Sequence, residues 1–128
     1  MAEHLKFTED HLWVRVNGKR ARIGLSDYGQ DELGEIIAVE LPDEGDNLEK
    51  GESFGEVESV QTVSDLIAPI SGRVLATNSD LEDHPALVND DPYHEGWLLD
   101  IELSDREEID DLLDPEEYEE FSGGGEDE

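Results

Sequence analysis

The chain has no cysteine, so neither a disulfide framework nor a thiolate metal site can be built from it. It is also poor in cations, with 8 lysines and arginines against 37 aspartates and glutamates and a formal charge of −29. Such a field repels phosphate backbones and anionic headgroups, which argues against nucleic acid and membrane partners and for basic protein surfaces. Self-repulsion at this density predicts a fold that gains stability with salt, and it fits a salt-rich cytoplasm as well as an ordinary bacterium. No apolar run approaches the roughly 20 residues needed to span a bilayer, and Met1-Ala2-Glu3-His4 lacks a basic signal start. The expectation is a soluble cytoplasmic protein, with the mitochondrial matrix left open for a mature form. Aromatic residues are only 6% of the chain, too few to wall a deep sugar cleft. The many carboxylate pairs therefore do not single out a glycosidase.

What is present falls in short periodic runs, and 128 residues suit a single core. Residues 1–121 are expected to form one domain, and 122–128, glycine-rich and then acidic, a frayed tail. Leu12 to Val16 and Arg20 to Leu25 alternate across Asn17-Gly18 and predict a first hairpin. Ser26 is placed to cap a helix from Asp27 to Leu33 that stops at Gly34. A strand from Glu35 to Leu41 ends at Pro42, and further strands are expected over Arg73 to Thr77 and Trp97 to Leu103. Between these two lies a loop, Asn78 to Tyr93, in which Pro85 opens a helical turn ending at Asn89. Ser104 to Glu107 reads as a capping box, with Ile109, Leu112 and Leu113 at helical spacing behind it. Asp114-Pro115 starts a second helix whose apolar side is Tyr118 and Phe121. The fold class is mainly β, a flattened sandwich of two antiparallel sheets with short peripheral and C-terminal helices.

Few residues invite chemistry. His4, His11, His84 and His94 show no metal-ligand spacing and read as surface or hydrogen-bonding residues. The acidic turn Asp43-Glu44-Gly45-Asp46 lacks the calcium-loop pattern, so no metal site is expected. No nucleophile elbow, phosphate loop or dinucleotide fingerprint occurs, and no catalytic residue is assigned. Trp13, Phe54 and Trp97 read as packing residues.

The organising stretch runs from Gly55 to Gly72. Runs from Val57 to Val60 and from Val63 to Ile67 flank a polar tip, Gln61-Thr62, before Ala68-Pro69 breaks the second run. That pattern is a hairpin with an exposed tip. Around it stand Gly34-Glu35-Ile36-Ile37, Gly45-Asp46 and Lys50-Gly51. Further motifs are Phe7-Thr8-Glu9-Asp10-His11-Leu12-Trp13-Val14, Asp31-Glu32-Leu33-Gly34, Val39-Glu40-Leu41-Pro42, Asn89-Asp90-Asp91-Pro92-Tyr93 and Glu95-Gly96-Trp97. In this order they resemble the glycine cleavage H proteins, within the lipoyl and biotinyl carrier domains.

The resemblance implies the same sandwich fold, often termed a barrel-sandwich hybrid. It implies a carrier and not an enzyme, which takes the aminomethyl group of glycine from the P protein to the T protein and is reoxidised by the L protein. A lipoyl ligase would attach the arm. In the family the lipoyl-lysine stands in a Glu-Ser-Val-Lys motif, which reads here Glu58-Ser59-Val60-Gln61. Glu58, Ser59 and Asp65 are the flanking positions that the resemblance assigns to presenting the arm. Lipoate forms an amide with a nucleophilic amine, whereas the nitrogen of Gln61 is already an amide. The expectation is an unmodified Gln61 and no lipoate on this chain, since Lys6, Lys19 and Lys50 all lie away from the tip. Many H proteins also have Glu at the position of Leu12, which offers no ionic contact. Two readings follow: an H-like carrier without its attachment residue, natural or introduced, or an H-like interaction or regulatory module.

Overall fold

A computed structural model of the protein describes residues 4–121. The stretch 122–128, expected to be a tail, lies outside the described residues, as do Met1-Ala2-Glu3 and the side chains of His4, Arg106, Glu119 and Phe121. In chain order the strands are β1 (His4–Phe7), β2 (Leu12–Asn17), β3 (Arg20–Leu25), β4 (Ile36–Glu40), β5 (Asn47–Leu48), β6 (Ser53–Ser59), β7 (Val63–Ile67), β8 (Gly72–Thr77) and β9 (Leu99–Leu103). The helices are α1 (Asp27–Leu33), α2 (Asp80–Asp83), α3 (Leu87–Asp90) and α4 (Pro115–Phe121), with a 3-10 helix over Arg106–Asp111. One antiparallel sheet has the order β1-β2-β3-β9-β8-β5 and the other β4-β6-β7; neither closes into a barrel.

Alternation explains how the sheets share a core. Leu12 and Val14 of β2, Ile23 and Leu25 of β3, and Leu99 and Ile101 of β9 point one way and are buried with Ile36, Val57 and Leu66 of the second sheet. Their neighbours point the other way, where Phe7, Trp13 and Tyr118 form a separate cluster. There the rings of Phe7 and Tyr118 stack 4.5 Å apart, and Trp13 Nε1 donates to Pro92 O at 2.8 Å. The C-terminal helix thus covers the outer side of the larger sheet.

Helix α1 has the expected bounds. Ser26 Oγ accepts from Gly29 N at 3.0 Å, and the N–H of Gly34 closes the last turn on Gln30 O. Trp13 is buried, while Phe54 and Trp97 are half-buried against the two clusters.

Several expectations need correction. The last strand begins at Leu99, not at Trp97: Asn78 Nδ2 donates to Glu95 O and Trp97 O at 2.8 and 2.9 Å, so the Trp97 carbonyl is held by a side chain, while Leu98 N still donates to Ile23 O at 2.8 Å just ahead of the strand. The cap at the next helix is Asp105 and not Ser104; its carboxylate accepts from Glu107 N at 2.9 Å. That helix is 3-10 and ends before Leu112 and Leu113, since Leu113 exchanges backbone hydrogen bonds with Phe7 at 2.7 and 2.8 Å. Strand β1, strand β5 and helix α2 had no counterpart in the sequence reading. Among the described residues no helix is long and apolar enough to cross a membrane.

Candidate functional site

Strands β6 and β7 form the expected hairpin, with Glu58 opposite Val63, Val57 opposite Ser64 and Glu56 opposite Asp65. Val60, Gln61 and Thr62 make the turn between them. Ser59 closes this turn with both its backbone and its side chain. Its N–H donates to Thr62 O at 2.8 Å, and its Oγ accepts from Gln61 N at 3.2 Å and Thr62 N at 3.1 Å. The residue is only 5% exposed, so it shapes the turn from within.

The other site residues face solvent. Gln61 is exposed at the apex, and Glu58 sits beside the turn on the open side of the hairpin. Asp65 lies two residue pairs further from the tip on that same side, opposite Glu56 and not Glu58. The structure therefore brings Gln61, Ser59 and Glu58 together and sets Asp65 apart. Val60 and Val63, 61% and 56% exposed, give the tip an apolar rim that strand alternation alone does not foretell.

No lysine stands on this hairpin. Lys6 is in β1, Lys19 is in the turn between β2 and β3, and Lys50 Nζ is bound to Asp111 Oδ2 at 2.6 Å.

The Gln61 side chain lies over Gly34, close enough that a Cβ built on Gly34 would stand 2.6 Å from its Nε2. The tip backbone also reaches this segment, with Val60 N donating to Glu35 O at 3.0 Å. Ile36 N in turn donates to Asn89 Oδ1 at 2.8 Å. Apart from their places in the family motifs, the sequence marks Gly34 as a helix stop and Asn89 as a helix end, and neither reading places them against the tip.

Beside the hairpin a cavity of about 90 Å³ opens between α1 and β7, lined in part by His11, Leu12, Glu32, Leu33, Asp65 and Leu66. Leu12 is 1% exposed and supplies an apolar wall. His11 adopts φ 70°, and its Nδ1 meets Tyr118 Oη at 2.8 Å; Tyr118 Oη also meets Ser26 Oγ at 2.7 Å. Burial holds the His11 imidazole below its ordinary pKa, against the opposing pull of Glu32 and Asp10. Burial also pushes the Tyr118 phenol up to about 12, although its bond to Ser26 works the other way. His11 thus has the hydrogen-bonding role expected of it. His94 meets Asp91 at 3.2 Å, and His84 is exposed. Among the described residues no group of three or more His, Asp or Glu side chains is placed to hold a metal.

A family model described as glycine cleavage H-protein matches residues 5–123. The chain is 48% identical over 119 residues to the glycine cleavage system H protein of Staphylococcus haemolyticus, spanning 93% of this chain and 94% of the relative. It is 51% identical over 116 residues to a probable glycine cleavage system H protein of Haloarcula marismortui, spanning 91% of each. The crystal structure of a glycine cleavage system H protein from Mycobacterium marinum aligns with TM-score 0.86 and 36% identity, over 96% of this chain and 99% of that one. A two-sheet fold shared over this length, with these sequence matches, means that the chain belongs to the glycine cleavage H-protein family.

Proposed function

We propose that this chain has the frame of an H-protein carrier, occupying residues 1–121 ahead of the acidic stretch 122–128, and cannot accept lipoate at position 61. Members of the family are lipoate carriers, not enzymes, and work with the P, T and L proteins of glycine cleavage. The observation that carries the proposal is the apex of the hairpin: the exposed side chain there is the carboxamide of Gln61. Its nitrogen lone pair is delocalised into the carbonyl, so it is not a nucleophile toward an activated acyl group. The residues present at the tip therefore do not fit an amide-linked lipoate.

The consequence is a carrier without its arm. A tethered group visits successive active sites at high effective concentration, and that advantage disappears with the tether. Glu58 and Ser59 would still present the turn to a lipoyl ligase, and Asp65 would stand further along the same face. Docking to the P, T and L proteins draws on a surface wider than residue 61, so binding is retained while aminomethyl transfer is not.

A reconstituted glycine cleavage assay tests this. The chain alone should give no turnover, and titrating it against a lipoylated H protein should inhibit competitively. Turnover by the unmodified chain would overturn the carrier-loss reading. Absence of inhibition by a correctly folded chain would overturn the retained docking.

A further inference from the structure

The segment Gly34-Glu35-Ile36 joins α1 to β4 and is held by a side chain from a distant helix. Asn89 of α3 uses both ends of its amide: Oδ1 accepts from Ile36 N at 2.8 Å, while Nδ2 donates to Gly34 O at 2.9 Å and to Gln30 Oε1 at 2.7 Å. The residues on both sides of Glu35 are thereby fixed, and Glu35 O is the group that receives Val60 N from the hairpin tip. Asn89 is half-buried, where an amide with all these partners specifies one local arrangement.

The segment also bears the side chain at position 61. A Cβ built on Gly34 would stand 2.6 Å from Gln61 Nε2, 3.3 Å from Cδ and 3.7 Å from Cγ, so three successive atoms of that side chain run past the Gly34 α-carbon. Gly34 has φ 91° and ψ −159°, a conformation that belongs to residues without a Cβ. The backbone geometry asks for glycine, and a Cβ there would in addition displace the Gln61 carboxamide, the free end of a flexible side chain. The three heavy atoms nearest to that built Cβ all belong to Gln61.

We propose that Gly34 and Asn89 are positioning residues for the side chain at position 61. Gly34 is the seat across which that side chain lies, and Asn89 fixes the seat from behind. This rests on reading position 61 as the carrier position. A lysine shares the Cβ and Cγ methylenes of glutamine and carries a methylene where glutamine has its amide carbon, so the seat sets the direction in which a modified side chain would leave the protein. Neither residue touches a reacting group; both act through the geometry of the tip.

Nuclear magnetic resonance on the full chain tests the seat without lipoate. In the unsubstituted protein the Gln61 side-chain amide protons should show Overhauser contacts to the Gly34 α-protons. Asn89→Asp keeps an acceptor for Ile36 N and removes the donors to Gly34 O and Gln30 Oε1. That variant should lose the Gln61 to Gly34 contacts and exchange the Val60 amide about fivefold faster, the factor for one net hydrogen bond, while Ile101 in the core is unchanged. Missing contacts in the unsubstituted protein, or unchanged contacts and Val60 exchange in Asn89→Asp, would overturn the proposal. If Ile101 also accelerates, the fold as a whole has weakened, and a double-mutant cycle between Gly34→Ala and Gln61→Ala decides. The seat requires that Gly34→Ala shift the denaturation midpoint less when residue 61 is alanine; strict additivity would overturn it. None of these readouts depends on lipoylation, so they stand or fall separately from the proposed function.

Discussion

Tyr118→Phe removes one buried hydroxyl and keeps almost everything else. The ring of Tyr118, 6% exposed, stacks on Phe7 with centroids 4.5 Å apart and planes 6° from parallel, and phenylalanine can keep that stack. What goes is Oη, which bridges His11 Nδ1 at 2.8 Å and Ser26 Oγ at 2.7 Å. Two polar atoms from two other segments lose a partner. Ser26 retains its bond from Gly29 N, and His11 is half-buried and open to water, so neither pays the full cost of isolation. A buried polar group left unsatisfied costs about 1–3 kcal/mol, and for two partly compensated groups we expect a loss of about 2 kcal/mol. For a chain of this size that corresponds to a fall in Tm of about 6–10 °C. Urea denaturation at pH 8, where His11 is neutral, should show a lower midpoint with the same m-value. A loss below about 0.5 kcal/mol would refute the bridge, because an exposed or unused hydroxyl costs that little.

Three further outcomes are expected. The His11 pKa lies below 6.5 in the folded chain, so the unfolded state binds more protons as pH falls from about 6.5; the stability contributed by this residue is complete above that value and lost below it. Relative to His11→Asn, which tolerates φ 70° and does not titrate, the unsubstituted protein should weaken between about pH 6.5 and 5, and a pH-independent difference would refute this. With a formal charge of −29, Tm should rise as potassium chloride approaches molar, where the Debye length is about 3 Å, and a flat Tm would remove repulsion as a limit on stability. Inhibition of a lipoylated H protein should weaken over the same salt range, as the proposed docking through so acidic a surface requires; salt-independent inhibition would contradict this.

Local signals made much of the fold legible. Helix α1 could be bounded because Ser26 supplies the cap, Asp27 the acidic first turn and Gly34 the terminal conformation within a few residues of one another. The tip hairpin was legible because the alternation through Val57, Ser59, Ser64 and Leu66 survives in its pairing. Distant partners hid the rest. Leu113 leaves the helical pattern because it pairs with Phe7, and β1 is a strand because its residues pair with β2. Nothing near Asn89 in sequence announces that its amide joins Gly34 and Ile36, more than fifty residues away. Likewise His11 and Tyr118 are 107 positions apart, so their hydrogen bond has no local signature. At the tip the identity of residue 61 was visible at once, whereas the surface beneath it required the fold.

The central claim is that position 61 offers no amine to a lipoyl ligase. The most direct measurement is intact mass after incubation of the folded chain with a ligase, its activated lipoyl donor and a lipoylated H protein as positive control. The unsubstituted chain should keep its mass, and Gln61→Lys should gain one lipoyl increment. A lipoyl increment on the unsubstituted chain, or an unmodified Gln61→Lys beside a working control, would contradict the account.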